Sequence, residues 1–296
     1  MRSKNLWPPT VKRVVICIGA EKTATSFLHR CAEESENVCT SSVKEVHFFD
    51  KQLMYPNRKY VDRARKQLLS SVRNSFVSAL SLKRPDLNKI KACYNLVSLR
   101  TGDKIEFGPY VNYMCGNYNS EDVIFEATPM YCLLDDAQLQ NIGYTHPDTR
   151  ILLSMRDPVN RAWSSVKYSL RRKVETGELS RDDVLDAFEK AVSDTSSFVY
   201  QQSHYLGLFE KLERAGLWEQ THVCFMESLS TDVEGSKMNE CFGTDVNLRL
   251  DERVNVHSQH VAEEPVILEQ AVDMFADTYS AVRARFGDRV PSSWRR

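Results

Sequence analysis

The sequence predicts an α/β protein: a single domain, residues 1–296, in which helices flank a central, mostly parallel β-sheet and the first strand runs into a phosphate-loop-like turn. Three observations carry this. Apolar runs without alternation recur at residues 14–18, 123–125, 151–155 and 223–226, the pattern of strands covered on both faces. Helical periodicity fills the intervals, giving strand, turn and helix in repetition. The 296-residue length suits one large domain, and neither an internal repeat nor a low-complexity linker divides it.

The first strand leads into "GAEKTATSFL", where Phe27 and Leu28 begin a helical pattern. A helix start presents unpaired backbone N–H groups and the positive end of the helix dipole, so this turn is a ready site for phosphate or sulfate. An ATP-type loop would read G-x-x-x-x-G-K-[ST]. Here Gly19 stands three residues before Lys22, and no second glycine precedes the lysine. What remains is Lys22 followed by small and hydroxyl residues, suited to a terminal phosphate wrapped by backbone amides with Thr25 and Ser26 as added donors. The same residues also fit a plain helix start with a solvated lysine.

Residues from about 51 to 120 interrupt the strand–helix rhythm with a basic helical stretch and then the aromatic segment "FGPYVNYMCGNY". This reads as an insertion over the ligand edge of the sheet, with Tyr110, Tyr113 and Tyr118 placed to stack on an acceptor ring. Beyond it, "ILLSMRDPVNRAWSSVKY" is again strand, turn and helix. Asp157 is the expected N-cap, Pro158 the first helical residue, and Val159, Ala162, Trp163, Val166 and Leu170 the apolar face. Arg156 stands at the strand end and Ser164 two helical turns on. Ligands of open α/β sheets bind beyond the carboxyl ends of the strands, so two strand ends can hold two anions of one ligand. Arg156 offers a planar fork and Ser164 a hydroxyl; the alternative is that Arg156 and Asp157 pair only with neighbours. The tail opens as a polar loop and predicts a helix from about residue 265, with Val266, Leu268, Ala271, Val272, Phe275 and Tyr279 on one side.

Composition narrows the function classes. With 39 Lys+Arg against 40 Asp+Glu, nothing global suggests a nucleic-acid or polyanion partner, so any anion site is local. No apolar run reaches the roughly 18 residues of a membrane span, and "MRSKNLWPPT" lacks the apolar stretch of a signal peptide. The expectation is a soluble, cytoplasmic protein. The eight cysteines include no CxxC pair and read as buried, reduced thiols.

A nucleotide with phosphates at its 5′ and 3′ positions fits two such strand-end sites. With these motifs in view the chain resembles the sulfotransferases that use 3′-phosphoadenosine 5′-phosphosulfate (PAPS), closest to the heparan sulfate and related carbohydrate enzymes. The resemblance rests on "GAEKTATSFL", "KEVHFFD" at residues 44–50, "EATPMY" at 126–131 and "LLSMRDPVNRAWSSVKY", in that order, with "SHYLGLFEKLERAGLWEQTHVCFMESL" similar to the helix and strand that follow. It implies that Lys22 holds the bridging oxygen of the transferred group, that Thr23, Ala24, Thr25 and Ser26 surround the 5′-phosphate, and that Arg156 and Ser164 hold the 3′-phosphate. It also implies that Glu45 is the general base and that Lys44, His47 and Asp50 flank the acceptor. The product would be 3′,5′-phosphoadenosine (PAP), and no metal would be required.

The residues argue for Glu45 on their own account. An acceptor hydroxyl or amine must lose its proton as it attacks sulfur, which asks for a nearby carboxylate. In an extended segment Glu45 and His47 would share a face, and Lys44 would help keep Glu45 ionised. The alternative is a core histidine beside a surface glutamate. Three features depart from the family pattern. Ala24 stands where glycine is common, which costs about 1 kcal/mol if that position needs positive φ. Glu21 adds a negative charge and is expected to point away. The basic, glycine-containing loop that closes over the nucleotide has no evident counterpart unless "RLDERVNVHSQH" replaces it. Two rivals remain: a nucleotide or metabolite kinase, which would want a Mg²⁺ site, and a catalytically silent nucleotide-binding protein.

Overall fold

A computed structural model describes residues 6–51, 59–80, 87–101, 104–248 and 265–294. Its centre is a five-stranded sheet in the order β2-β3-β1-β4-β5, made of β1 (Arg13–Gly19), β2 (Val38–Thr40), β3 (Val123–Ala127), β4 (Thr149–Met155) and β5 (Thr221–Phe225). Every pairing is parallel. Four of these strands match the apolar runs; β2, "VCT", is too short to carry a period.

The unbroken apolar runs follow from burial on both faces. Val14, Ile16, Ile18, Ile124, Ile151 and Leu153 belong to one core layer, while Val15, Cys17, Phe125, Leu152 and Cys224 belong to the other. Helix α1 (Thr25–Glu33) covers the second layer through Leu28 and Cys31. The inserted region supplies α2 (Lys59–Leu80), α3 (Leu87–Thr101) and α4 (Phe107–Met114), and α5 (Asp136–Gly143) follows β3. Helix α6 (Pro158–Glu175) begins as expected, the Asp157 carboxylate accepting from Asn160 N at 2.9 Å. Then come α7 (Arg181–Ser193), α8 (Phe198–Ser203), α9 (Tyr205–Arg214) and α10 (Asp232–Phe242). The expected C-terminal helix is broken at Met274 and Phe275 into α11 (Pro265–Asp273) and α12 (Ala276–Phe286).

All eight cysteines are free thiols and seven are buried. Among the described residues no helix is long and apolar enough to cross a membrane.

Candidate active site

The turn after β1 is built by close backbone packing. A side chain at Gly19 (φ 135°) would put its Cβ 2.4 Å from the Pro129 carbonyl oxygen, so only glycine lets the strand end there. Ala20 N donates to Ser154 O at 3.0 Å, and the Ser154 hydroxyl donates to Thr23 O at 2.5 Å. The Thr23 hydroxyl is occupied inside the loop, donating to Ala20 O at 2.6 Å. Lys22 and Ala24 both take positive φ, 68° and 65°, so the position where the family favours glycine does require the left-handed conformation. Ala24 is also the N-cap of α1 and supplies no side-chain cap. The amides at the head of α1 therefore have no side-chain oxygen from their own N-cap. Thr25 is buried and Ser26 half-buried at this helix start.

Cations crowd the loop. The Lys22 ammonium lies 3.8 Å above the Tyr168 ring, which also carries the Arg171 guanidinium at 4.0 Å. Burial lowers the Lys22 pKa, Glu21 opposes that, and Arg156, Arg171 and Arg161 lower it further. Arg156 reaches the loop, donating to Lys22 O at 3.4 Å, while its backbone is clamped by the Tyr205 hydroxyl, which donates to Arg156 O at 2.8 Å. Arg161 is fully buried and donates to Ser203 Oγ at 2.6 Å and Glu21 O at 3.4 Å. Asp157 pairs as a cap and with the Tyr279 hydroxyl at 2.9 Å, and the Arg156 charge also bears on the Glu227 carboxyl. Ser164 sits four residues before Tyr168, one helical turn away on the same face of α6. Because Tyr168 meets Lys22, that face looks toward the loop.

Glu21 does not turn away. Burial first, then the Glu45 carboxylate, push its carboxyl up, opposed by Arg161, Lys22 and His47.

The Lys44–Asp50 segment is not extended. Glu45 and His47 adopt φ of 64° and 54°, and the segment contains no strand. The two side chains still meet, His47 Nε2 lying 3.9 Å from Glu45 Oε2. Lys44 donates to Glu45 Oε1 at 3.0 Å. Burial raises the Glu45 pKa, but Lys44, through its charge and its hydrogen bond, together with His47 and Arg63, outweighs burial and holds the carboxyl below its ordinary value. Asp50 does not flank an acceptor: it is wholly buried behind His47, whose Nδ1–H donates to Asp50 Oδ2 at 2.7 Å. This pairing orients the imidazole.

What holds this segment comes from elsewhere in the chain. Glu45 N donates to Ala127 O at 3.2 Å, and Phe48 N donates to the Tyr131 hydroxyl at 2.9 Å. The buried Arg100 of α3 donates to Glu45 O and, at 3.0 Å, to Val46 O. Tyr131, Thr128 and Tyr110 in turn donate to the fully buried Glu126. Burial raises the Glu126 pKa, and these three hydroxyls oppose the shift.

A cavity of about 790 Å³ is lined among others by Ser26 at the start of α1, by Lys44, Glu45 and His47, and by Arg100 and Tyr168. Lys22, Thr23, Ala24, Thr25, Arg156 and Ser164 do not line it, and Lys22 adjoins it through the Tyr168 ring. Its outer wall is Arg63 and Gln67 of α2 and Lys89 and Ala92 of α3. The insertion thus borders the site, but not through the expected aromatics. Tyr113 and Tyr110 are buried in the core, and Tyr110 gives its hydroxyl to Glu126. The Tyr118 hydroxyl meets Thr10. None of the three lines the cavity: the apolar side of α4 carries Tyr110 and Tyr113 inward, and Tyr118, beyond α4, packs against the same core. The "RLDERVNVHSQH" stretch lies outside the described residues. Sequence reasoning missed Arg161, Tyr168 and Arg171, which helical spacing from Ser164 could have flagged, and Arg100, which no local pattern marks.

No family model matches the sequence, and no curated protein matches it. Among solved structures, a sulfotransferase from Alicyclobacillus acidocaldarius superposes with a TM-score of 0.57 at 19% identity, over 95% of this chain and 98% of that one. The sulfotransferase domain of the Synechococcus PCC 7002 olefin synthase gives 0.49 at 13% identity over 93% and 98%, and a Mycobacterium avium sulfotransferase, STF9, gives 0.48 at 11% over 93% and 77%. The architecture of this chain, a five-stranded parallel sheet with flanking helices, is therefore that of a sulfotransferase fold.

Proposed function

We propose that the protein is a sulfotransferase that moves a sulfuryl group from PAPS to a hydroxyl or amine of a glycan or small metabolite, releasing PAP. The observation that carries this is a cavity lined both by Ser26, at the helix start that follows the cation-rich loop, and by the Glu45 carboxylate, held ionised by Lys44. The loop fits an anionic donor. Its helix start lacks a side-chain cap, and Lys22, Arg156 and Arg171 gather beside it. Lys22, Thr23, Ala24, Thr25 and Ser26 would hold the 5′ end, and Arg156 and Ser164 the 3′-phosphate. When bound, the donor supplies a sulfuryl group on a good leaving phosphate.

Glu45 takes the proton of the attacking acceptor atom. His47, oriented by Asp50, steadies that carboxylate and the acceptor. Lys22 provides positive charge where negative charge develops on the leaving oxygen, and positioning and electrostatics supply the rest. The wall from α2 and α3 selects the acceptor, and the glycan reading rests on the motif resemblance. The test is a labelled-donor assay with PAPS and with ATP, each with and without EDTA, on wild type and Lys22→Ala. Transfer of sulfur label that survives chelator and vanishes in the variant is expected. Phosphoryl transfer from ATP that dies with EDTA, without transfer from PAPS, would instead identify a kinase.

A further inference from the structure

We propose that the outer face of α2 is a docking surface for an anionic membrane. The helix departs from the usual arrangement of a soluble amphipathic helix, whose apolar stripe faces the core. Its buried positions are small, Ala64, Ser71 and Ser75, with Val61 and Leu68 half-buried beside them, and Ser71 Oγ lies 3.6 Å from Cys93 Sγ of α3. Three of its large apolar residues point outward: Leu69 is 68% exposed, Val72 46% and Phe76 67%. These three recur at i, i+3 and i+7, which places them in one stripe about 10 Å long. Val77 on the same helix is also exposed. A monomeric soluble protein rarely leaves such a stripe uncovered without a use for it.

Charge identifies the partner. Lys66 and Arg73 are exposed and seven residues apart, forming a row parallel to Leu69 and Phe76. Arg65 adds a third exposed cation, with Asp62 3.8 Å away as the helix's single acid. The whole chain has a net charge of −1, so this basic face is local. A two-fold dimer through the stripe would set two cationic rows against each other, which like-charge repulsion opposes. Nucleic acid would engage the cations but has no use for the leucine and phenylalanine. A lipid interface takes both, burying the apolar stripe at the acyl boundary while the cations meet acidic headgroups. Arg63 and Gln67 of the same helix line the cavity, so docking would hold the mouth of the site near the membrane surface.

The test is sedimentation of the full chain with vesicles of phosphatidylcholine alone and of phosphatidylcholine containing phosphatidylserine, with light scattering to give the mass in solution. Wild type should partition onto the phosphatidylserine vesicles and lose that partition as salt rises. Lys66→Gln with Arg73→Gln should weaken it about 25-fold, near fivefold per cation. Leu69→Gln with Phe76→Gln should weaken it about 30-fold or more. Both variants should melt cooperatively, since all four side chains are exposed. The readout is independent of the reaction, so it stands or falls apart from the sulfotransferase assignment. The proposal is overturned if wild type ignores phosphatidylserine vesicles, or if the Leu69/Phe76 variant binds them as well as wild type. A dimer that the Leu69/Phe76 variant dissolves would also overturn it, because a second copy would then cover the stripe.

Discussion

The donor loop and the base segment use the same unusual backbone device and are held in opposite ways. In each, two non-glycine residues two apart take positive φ: Lys22 and Ala24 in the loop, Glu45 and His47 in the base segment. Each such residue costs of order 1 kcal/mol, so each segment needs outside support. The loop finds much of it at the neighbouring strand end, through Ser154 on β4, and within itself, through Thr23. The base segment draws on Arg100 of the inserted α3, on Ala127 at the end of β3 and Tyr131 just beyond it, and on Asp50 behind His47. The proposed donor side is thus held by the sheet, and the proposed acceptor side draws in addition on the insertion.

Substitutions at five positions would break or sharpen that contrast. The largest effect belongs to Glu45→Gln, which should cut transfer by about 100- to 10,000-fold and leave PAP affinity within twofold by calorimetry. A near-wild-type rate would remove Glu45 as the base. The same carboxylate carries the pH dependence. Its pKa is held low, so the base stays ionised as pH falls until the low folded value is reached. Lys44→Met removes the main opposing charge, so the acid limb of the rate profile should move to higher pH.

Arg156→Ala tests the donor side alone. It should weaken PAP by roughly 2–4 kcal/mol through loss of a charge-assisted fork and hardly change binding of adenosine 5′-phosphate. Equal losses for both ligands would mean that Arg156 supports the loop and does not read the 3′ group.

Arg100→Met tests whether the acceptor side hangs on the insertion. Losing a cationic donor to two carbonyls costs about 1.5–3 kcal/mol, which should appear as a drop of about tenfold or more in kcat with PAP affinity unchanged, partly restored by Arg100→Lys. Parallel loss of PAP affinity would show that the two segments are not separately supported. The smallest effect is Ala24→Gly. At φ 65° the change relieves the left-handed alanine and should raise stability by about 0.5–1 kcal/mol, read from the denaturant midpoint.

Legibility followed the range of the interactions. The four longer strands, the start of α6 at Pro158 and the lysine turn were readable, since each is written in adjacent residues. Glu45 and His47 were paired for the wrong reason: an extended strand would put them on one face, whereas alternating left-handed residues bring them to 3.9 Å. The tyrosines at 110, 113 and 118 looked like a stacking surface because an aromatic segment in an insertion gives no sign of which way it faces. Glu126 explains the error for Tyr110, since a fully buried carboxylate needs donors and takes that hydroxyl for its own satisfaction.

By itself the sequence determined the parallel sheet, its first loop and the cation at that loop, because burial on both faces and a helix start leave local signatures in residue type and spacing. Only the tertiary structure decided that Arg100 holds the base segment, that Asp50 stands behind His47, that Glu21 stays among the site's charges and that α2 and α3 wall the cavity. These are contacts between residues far apart in the chain, and the direction a side chain takes there is set by what packs against it. The sequence states which groups are present; the packing decides which of them can meet.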